Sequence, residues 1–489
     1  MPGMAPPNPG APSSLGSWRD CALYGRALLE RMPLGPAEQE CVRALVAATD
    51  GLLAREAPPP PVPVVPPAAV PPAMAVAPPA PVLPPAAVAG PAAAPAPAAA
   101  AAPVSIGVMT FGENEKGALG QGFQRPPNWE PARAVAMPPG AELVAVVAGS
   151  ALSGFLMRDG TLLLAGSNAG YLYADTQARG RDVPTSLPIL GGRRVTRVFL
   201  QGSSTHMFAC IDGRLHAWGR FSAGLGLDRR AITVEPTPVE RLGPMQHPGG
   251  VPEPLIYDVA VGAGHTLLLL ASGEVFACGN NSRGQLGIGA RNNPIEIGTF
   301  ERPEGSERLR FSGAACGLLH SALVATDGTL WVMGQNEYGQ LGLPGKEDRF
   351  RLTRVERGSV VGARVIGAAC GGETTYCISD DGRVHATGSN RFGQLGLGAA
   401  AGSEELVAVP LPGNRQARQL AAGERHALCL CQDGTLLAWG ENSMCQANAS
   451  AKGDSIREPR VVELGAGRSV LGMAVGRAHN VAVVGVAAG

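Results

Sequence analysis

Apolar residues in most of this chain fall in short runs separated by glycine-rich polar stretches, and the two kinds of segment alternate with a long period. Runs such as VAVGAGHTLLLL (259–270), AACGLLHSALVA (314–325), LAAGERHALCLC (420–431) and MAVGRAHNVAVV (473–484) begin with small residues and continue apolar. They read as strands. Six runs of this kind are followed by a two-residue turn signal: Asp159-Gly160, Asp212-Gly213, Ser272-Gly273, Asp327-Gly328, Asp381-Gly382 and Asp433-Gly434. Asp-Gly between such runs predicts a tight hairpin with a type I′ turn, which needs positive φ at both central residues. The strand after the turn, for example TLWVMG or RLHAWG, leads into a glycine motif. Its clearest copies are GENEKGALG from Gly112, GNNSRGQLG from Gly279, GQNEYGQLG from Gly334 and GSNRFGQLG from Gly388, with looser ones at Gly166, Gly219 and Gly440. The seven leading glycines lie 54, 53, 60, 55, 54 and 52 residues apart. A period near 50 signals stacked supersecondary units, here small antiparallel sheets of about four strands.

The count of marks predicts how the array ends. Seven glycine motifs and seven small-residue blocks occur, but six hairpin turns. The strand and glycine motif that should follow a seventh turn stand instead at the other end, as VSIGVMTFGEN (104–114). A ring satisfies both half-units, because the N-terminal strand completes the last blade and no edge is left bare. The predicted fold class is therefore all-β: a seven-bladed β-propeller over 104–489, closed by the N- and C-terminal strands.

Three ordered marks recur, with variations, along seven units: G-x-N-x-x-G-Q-L-G, G-x-x-H and D-G. In this the chain resembles the regulator-of-chromosome-condensation repeat family over roughly residues 104–485. The resemblance implies a propeller platform, a fold that hosts many functions. The family's founding activity is nucleotide exchange on the small GTPase Ran, through acidic residues and a histidine in the blade loops and a wedge after the third glycine motif. Glu115 matches the first acidic position, but Ser203 and Gly264 stand at later ones, the fifth block reads GGETT (371–375), and RFSAGLGLD after Gly219 is too short for the wedge. Trp218, Trp331 and Trp439 sit at the inner ends of strands and are expected in the repeat core, unlike the exposed tryptophan cluster of ultraviolet-sensing relatives.

Before the propeller the composition changes twice. Residues 1–16 are a neutral, proline-rich start. In 17–56, Trp18, Cys21, Leu28 and Met32 form one helical stripe and Cys41, Leu45, Leu52 and Leu53 another, separated by Gly35-Pro36, which predicts a short α-helical hairpin. Residues 57–103 are almost wholly Pro, Ala and Val and predict an extended linker. Its prolines rule out a membrane-spanning helix. The start lacks the features of a secretory signal. Forty basic and 40 acidic residues leave no net charge, so nothing in the overall electrostatics favours nucleic acid. Ten cysteines without a C-x-x-C pair fit reduced thiols in the cytoplasm or nucleus, with an organellar address left open.

Candidate chemistry is thin. His265, His320, His426 and His479 hold the G-x-x-H position, whose equivalents in other units are Leu152, Thr205 and Thr374; such recurrence suits an imidazole bonding backbone groups between blades. Asn281, Asn336 and Asn390 suit turn formation. No catalytic set, metal cluster or cofactor motif stands out, so no catalytic residue and no cofactor is expected. The longer loops 225–256, 290–310 and 343–362 are the expected partner surface, charged by Arg229, Arg230, Glu301, Arg308, Lys346, Asp348 and Arg349. The primary expectation is a non-catalytic protein-interaction scaffold. The alternatives are a Ran-like exchange factor for a small GTPase and a substrate-recognition subunit of a ubiquitin-ligase or ciliary assembly.

Overall fold

The computed structural model describes residues 105–486 apart from 115, 123–128, 169, 174–179, 188–189, 221–222, 228–231, 244, 290–295, 449 and 451–452. The helical hairpin at 17–56, the linker, Glu115, Arg229 and Arg230 lie outside the described residues. Within them stand seven sheets, each built on four antiparallel strands, the third extended by two short strands. Numbered along the chain, blades 1 to 6 cover 143–186, 195–238, 256–301, 311–354, 365–409 and 417–461. Blade 7 combines Arg468–Val475 and His479–Val486 with Ser105–Glu113 and Trp129–Ala134, in the order outer, third, second, inner from the N-terminal side. Its closure runs in unbroken register from Ser105 opposite Val486 to Gly112 opposite His479. The ring therefore shuts through a ladder of backbone bonds, and the chain's two ends of sheet protect each other's edges.

Strand identity follows from burial. The second strand of each of blades 1 to 6 is sandwiched between neighbouring blades and is fully buried, as in His265–Leu270 and His320–Ala325. Outer strands such as Arg349–Arg354 are half-buried to exposed along their length. The connection between blades 2 and 3 adds a small hairpin, Arg241–Leu242 with Met245–Gln246, which lies along the outer strand of blade 3 through Leu242 opposite Phe300. It covers an edge that would otherwise be bare.

The hairpin turns differ from the expected type I′ in five of six blades. Only Asp212 (φ 51°) and Gly213 (φ 74°) are both left-handed. Elsewhere the loop is one residue longer: Met157 N donates to Thr161 O across Arg158-Asp159-Gly160, and glycine alone takes positive φ. That is a turn followed by a glycine bulge. The aspartate then acts through its side chain, as Asp159 Oδ1 accepts from Thr161 N (2.8 Å) and Asp327 Oδ1 from Thr329 N (2.9 Å). Hydrogen bonds from Thr161 and Thr329 hold both carboxyls below the usual range. Asp212→Val should destabilise by about 1–2 kcal/mol through its left-handed backbone, whereas Asp327→Val should lose only its side-chain bonds, about 0.5–1 kcal/mol. Equal losses in urea denaturation would contradict the two turn types.

Candidate interaction face

In each blade the connection after the inner strand carries the small-residue block, which reads G-x-x-H in blades 3, 4, 6 and 7, and the connection after the third strand carries the glycine motif. Alternation of antiparallel strands brings both to one face and puts the Asp-Gly turns on the other. The asparagines build their own loops: the Oδ1 atoms of Asn281, Asn336 and Asn390 accept from the backbone N–H five residues on, Leu286 (3.1 Å), Leu341 (2.9 Å) and Leu395 (2.9 Å).

The histidines clamp blade to blade, and their partners are side chains rather than the backbone groups expected from sequence. His265 Nε2 lies 2.9 Å from Ser321 Oγ, and that hydroxyl donates to Gln285 O (2.8 Å). His320 meets Thr375 (3.0 Å), which donates to Gln340 O, and His479 meets Ser153 (3.1 Å), which donates to Ala118 O. His426 meets Asn480 Oδ1 (2.9 Å), whose Nδ2 donates to Gln446 O. Since each hydroxyl hydrogen is committed to a carbonyl, the imidazole must donate from Nε2. Nδ1 is then the bare nitrogen, and in these four residues it is buried without a hydrogen-bond partner among the described residues.

The equivalent in blade 2 is His206, not Thr205. His206 pairs with Gly219 as His265 pairs with Gly279, and its Nε2 lies 2.9 Å from Thr266 Oγ1. The two-residue turn at Asp212-Gly213 shortens the hairpin by one residue, which hid the correspondence. The partner rule holds around the ring. Where the position is Leu152 or Thr374, the residue one blade on is Met207 or Ala427, which needs no donor. Burial depresses all five imidazoles, to about 3 for His206, His265 and His479 and to about 4 for His320 and His426.

The motif glycines share this logic. A Cβ on Gly262 would stand 2.6 Å from His265 Cε1 and 2.8 Å from Gly317 O, so the glycine leaves the space in which the ring lies. The same loops are linked from blade 5 round to blade 2 by Gly372 N to Glu424 O (3.0 Å), Glu424 N to Arg477 O (2.9 Å), Arg477 N to Gly149 O (3.2 Å) and Ser150 N to Ser204 O (3.1 Å). In blade 2 the longer loop goes further: Gly202 N donates to Val475 O of blade 7, past blade 1, and so lies across the end of the central channel. The channel, about 160 Å³, is lined by the inner strands, including Cys316 and Cys370. Their thiols point to Ala260 O and Ala315 O of the preceding blade. Asp258 also lines it, and burial pushes its carboxyl up to about 6.

What remains exposed on this face is organised by arginine. Arg391 lies 4.9 Å over the Tyr338 ring and Arg425 4.7 Å over Phe392. Arg477 binds both oxygens of Glu113 (2.9 and 3.1 Å). Glu424 approaches Arg425 (3.6 Å) and Arg477 (4.0 Å). Successive loops of blades 4 to 7 leave three adjoining clefts of about 340, 140 and 170 Å³.

The charged residues singled out from sequence do not form one surface. Lys346, Asp348 and Arg349 stand on this face and are engaged with their own protein: Lys346 with Glu404 (3.2 Å), Asp348 with Arg283 (3.2 Å) and Asn336 N (3.1 Å), Arg349 with Glu347 (3.8 Å) and Pro344 O (3.1 Å). Glu301 and Arg308 lie toward the opposite face, at the end of the outer strand of blade 3 and in the connection to blade 4. Trp218 and Trp439 are fully buried, with indole N–H groups on Leu172 O and Gln394 O of the preceding blade. Trp331 departs from the expectation for a core residue. It is half-buried and donates to Thr329 of its own hairpin.

No set of groups on the described residues forms a hydrolytic or metal centre. His385 lies between Ser359 Oγ (2.6 Å) and Ser379 Oγ (2.9 Å), but Asp381 bonds Ser379 (2.6 Å) rather than the imidazole. The order acid, serine, histidine, serine is not that of an activated nucleophile, in which the acid orients the histidine. No group of three or more His, Cys, Asp or Glu among the described residues is placed to hold a metal. No helix there is long and apolar enough to cross a membrane.

Comparison with known proteins agrees with this architecture. The ultraviolet-B receptor UVR8 of Arabidopsis thaliana is 29% identical over 309 residues, 63% of this chain and 66% of the receptor. The human E3 ubiquitin-protein ligase HERC2 is 30% identical over 328 residues, 66% of this chain but 6% of the ligase. The chain thus spans less than two thirds of either relative. Human WBSCR16 superposes with a TM-score of 0.64 at 20% identity, covering 78% of this chain and 98% of that one. Yeast Prp20p, studied for its binding to Gsp1p and histones, gives 0.65 at 20% identity, covering 78% and 92%. The family model described as RCC1-like domain matches residues 107–482, and the chain belongs to that family.

Proposed function

We propose that the protein is a non-catalytic interaction scaffold whose partner face is the histidine-motif side of blades 4 to 7. The observation that carries this reading is the pair of arginines laid on aromatic rings beside three adjoining clefts. Arginine and aromatic side chains dominate protein-binding hot spots, because stacking orders the guanidinium before a partner arrives. The clamp histidines, the hydroxyls that meet them and the motif asparagines of the same face are consumed in holding the ring and its loops together, so it presents shape and charge on a rigid base. Replacing Arg391 and Arg425 together by Glu in the full chain should abolish recovery of its main protein partners while leaving the fold unchanged by circular dichroism. Unchanged recovery with intact fold sinks the assignment of this face.

Exchange on a small GTPase is the second reading, supported by the likeness to Prp20p. Its test is fluorescent-nucleotide release from a panel of small GTPases with this protein at sub-stoichiometric concentration. The scaffold reading expects no acceleration, and acceleration overturns it. A role in recognising substrates for a separate ubiquitin ligase is a version of the scaffold reading, supported by the likeness to HERC2.

A further inference from the structure

We propose that the cleft between the glycine–asparagine loops of blades 4 and 5 is an oxyanion site that takes a phosphorylated side chain of a protein partner. This deepens the scaffold reading and rests on it. Six residues define the site: Tyr338, Lys346, Ser389, Arg391, Ser403 and Glu404.

The decisive group is Ser389. It is 4% exposed, lines the cleft, and its Oγ is buried with no hydrogen-bond partner. Sister motifs place Asn280 and Gln335 here, and those side chains accept from Gln285 Nε2 (2.9 Å) and Gln340 Nε2 (3.4 Å) of their own loops. In blade 5 the hydroxyl of Ser389 is too short to take up Gln394 in that way. The residue paired across from it is Gly402, so no cross-strand side chain covers it either. A buried hydroxyl left without an acceptor is costly unless a ligand supplies one.

Charge completes the argument. Arg391 is exposed, makes no ion pair with any described residue, and its guanidinium carbon lies 4.9 Å from the centre of the Tyr338 ring. Lys346 adds a second cation, neutralised at 3.2 Å by Glu404. Glu404 lines the cleft too, so the resident balance is one positive charge, and an incoming dianion competes with Glu404 for Lys346. Ser403 Oγ is committed to Glu405 O. Arginine plus hydroxyl plus lysine is a donor set matched to a tetrahedral phosphomonoester, which accepts from several directions at once. At about 340 Å³ the cleft has room for the side chain that carries the phosphate.

The test uses the full chain. O-phospho-L-serine, inorganic phosphate and L-glutamate are titrated calorimetrically into the wild type and into Arg391→Ala, Lys346→Ala and Ser389→Ala. Phosphoserine should bind with the others weaker, and Arg391→Ala should weaken it about tenfold or more, the effect of losing one charge-assisted contact. Ser389→Ala should also weaken binding while its ligand-free melting temperature stays level or rises, because the lost hydroxyl had no partner. Equal binding of glutamate would overturn the phosphate assignment, equal binding of free phosphate the macromolecular source, and no binding to folded protein the site itself. If partners are recovered equally from phosphatase-treated and untreated extracts, yet lost with the double Arg→Glu variant, the inference falls while the scaffold reading stands.

Discussion

Acidification from pH 7 to pH 4 is expected to unfold the propeller in one steep transition centred near about pH 5. Five buried imidazoles set this. In the unfolded chain each titrates near about 6.5. In the folded ring His206, His265 and His479 are depressed to about 3 and His320 and His426 to about 4. The first cause is desolvation, and the hydrogen-bond pattern reinforces it, because a proton on Nδ1 of His265, His320, His426 or His479 finds no acceptor. Over the window from about 6.5 down to 4 the unfolded state therefore binds protons that the folded state refuses, and stability present above that window is lost as pH falls.

Asp258 opposes with the reverse sign, since its raised carboxyl takes a proton in the folded state between about 6 and its unfolded value. From these six groups alone the difference is about four protons, or roughly 5–6 kcal/mol per pH unit against a total stability of about 5–15 kcal/mol. His216 and His385, also depressed by burial, add in the same direction as the five. The measurement is the pH dependence of urea-unfolding free energy. His320→Leu, the residue type blade 1 carries as Leu152, should lower the slope by one proton. A native spectrum at pH 4, or a slope near one proton, would refute the clamp as the acid-labile element.

Gly262→Ala is expected to destabilise by about 3 kcal/mol, the upper end of what overpacking costs, because both the ring and the carbonyl it meets are fixed. The added carbon meets His265 Cε1 at 2.6 Å and Gly317 O at 2.8 Å, and neither can retreat without opening the joint between blades 3 and 4. Gly472→Ala is the control, since a Cβ there meets nothing within 4 Å and the backbone is not left-handed. Removing the imidazole as well, in Gly262→Ala with His265→Ala, should recover part of the loss and not all, because Gly317 O remains. Chemical denaturation of the four proteins gives the coupling directly. A Gly262→Ala variant as stable as Gly472→Ala would show that the ring does not need the space.

Much of the fold was legible because each blade is written in local marks. Alternating runs, Asp-Gly turns and glycine–asparagine loops recur in order, and one missing turn at the C-terminus matched one extra strand at the N-terminus. Closure by Ser105–Glu113 against His479–Val486 followed from that count. The errors arose where two local changes cancel. Blade 2 has a longer loop before His206 and a shorter hairpin after it, so fixed spacing from Gly219 pointed to Thr205. The turn type was misjudged because Asp-Gly serves both a two-residue turn and a three-residue loop with a glycine bulge. Only the pairing register separates them.

The functional surface was legible in composition and not in place. Lys346 and Arg308 look alike as charged loop residues, yet they end on opposite faces, and Lys346 meets Glu404, 58 positions away in the chain. Arg391 and Tyr338 passed as ordinary loop residues until the ring set one over the other.

Taken alone, the sequence determined the number of blades, their strand order and the means of closure, because these depend on periodicity within about 50 residues, where chain connectivity limits the choices. It also held the histidine code, with a polar partner one blade on for every clamp, although that is readable only once the ring is known. The tertiary structure decided which atoms the imidazoles bond, which loop crosses the channel, and which charges are spent within the protein. Those depend on contacts between adjacent blades, where burial and the geometry of packed sheets assign each polar group its partner.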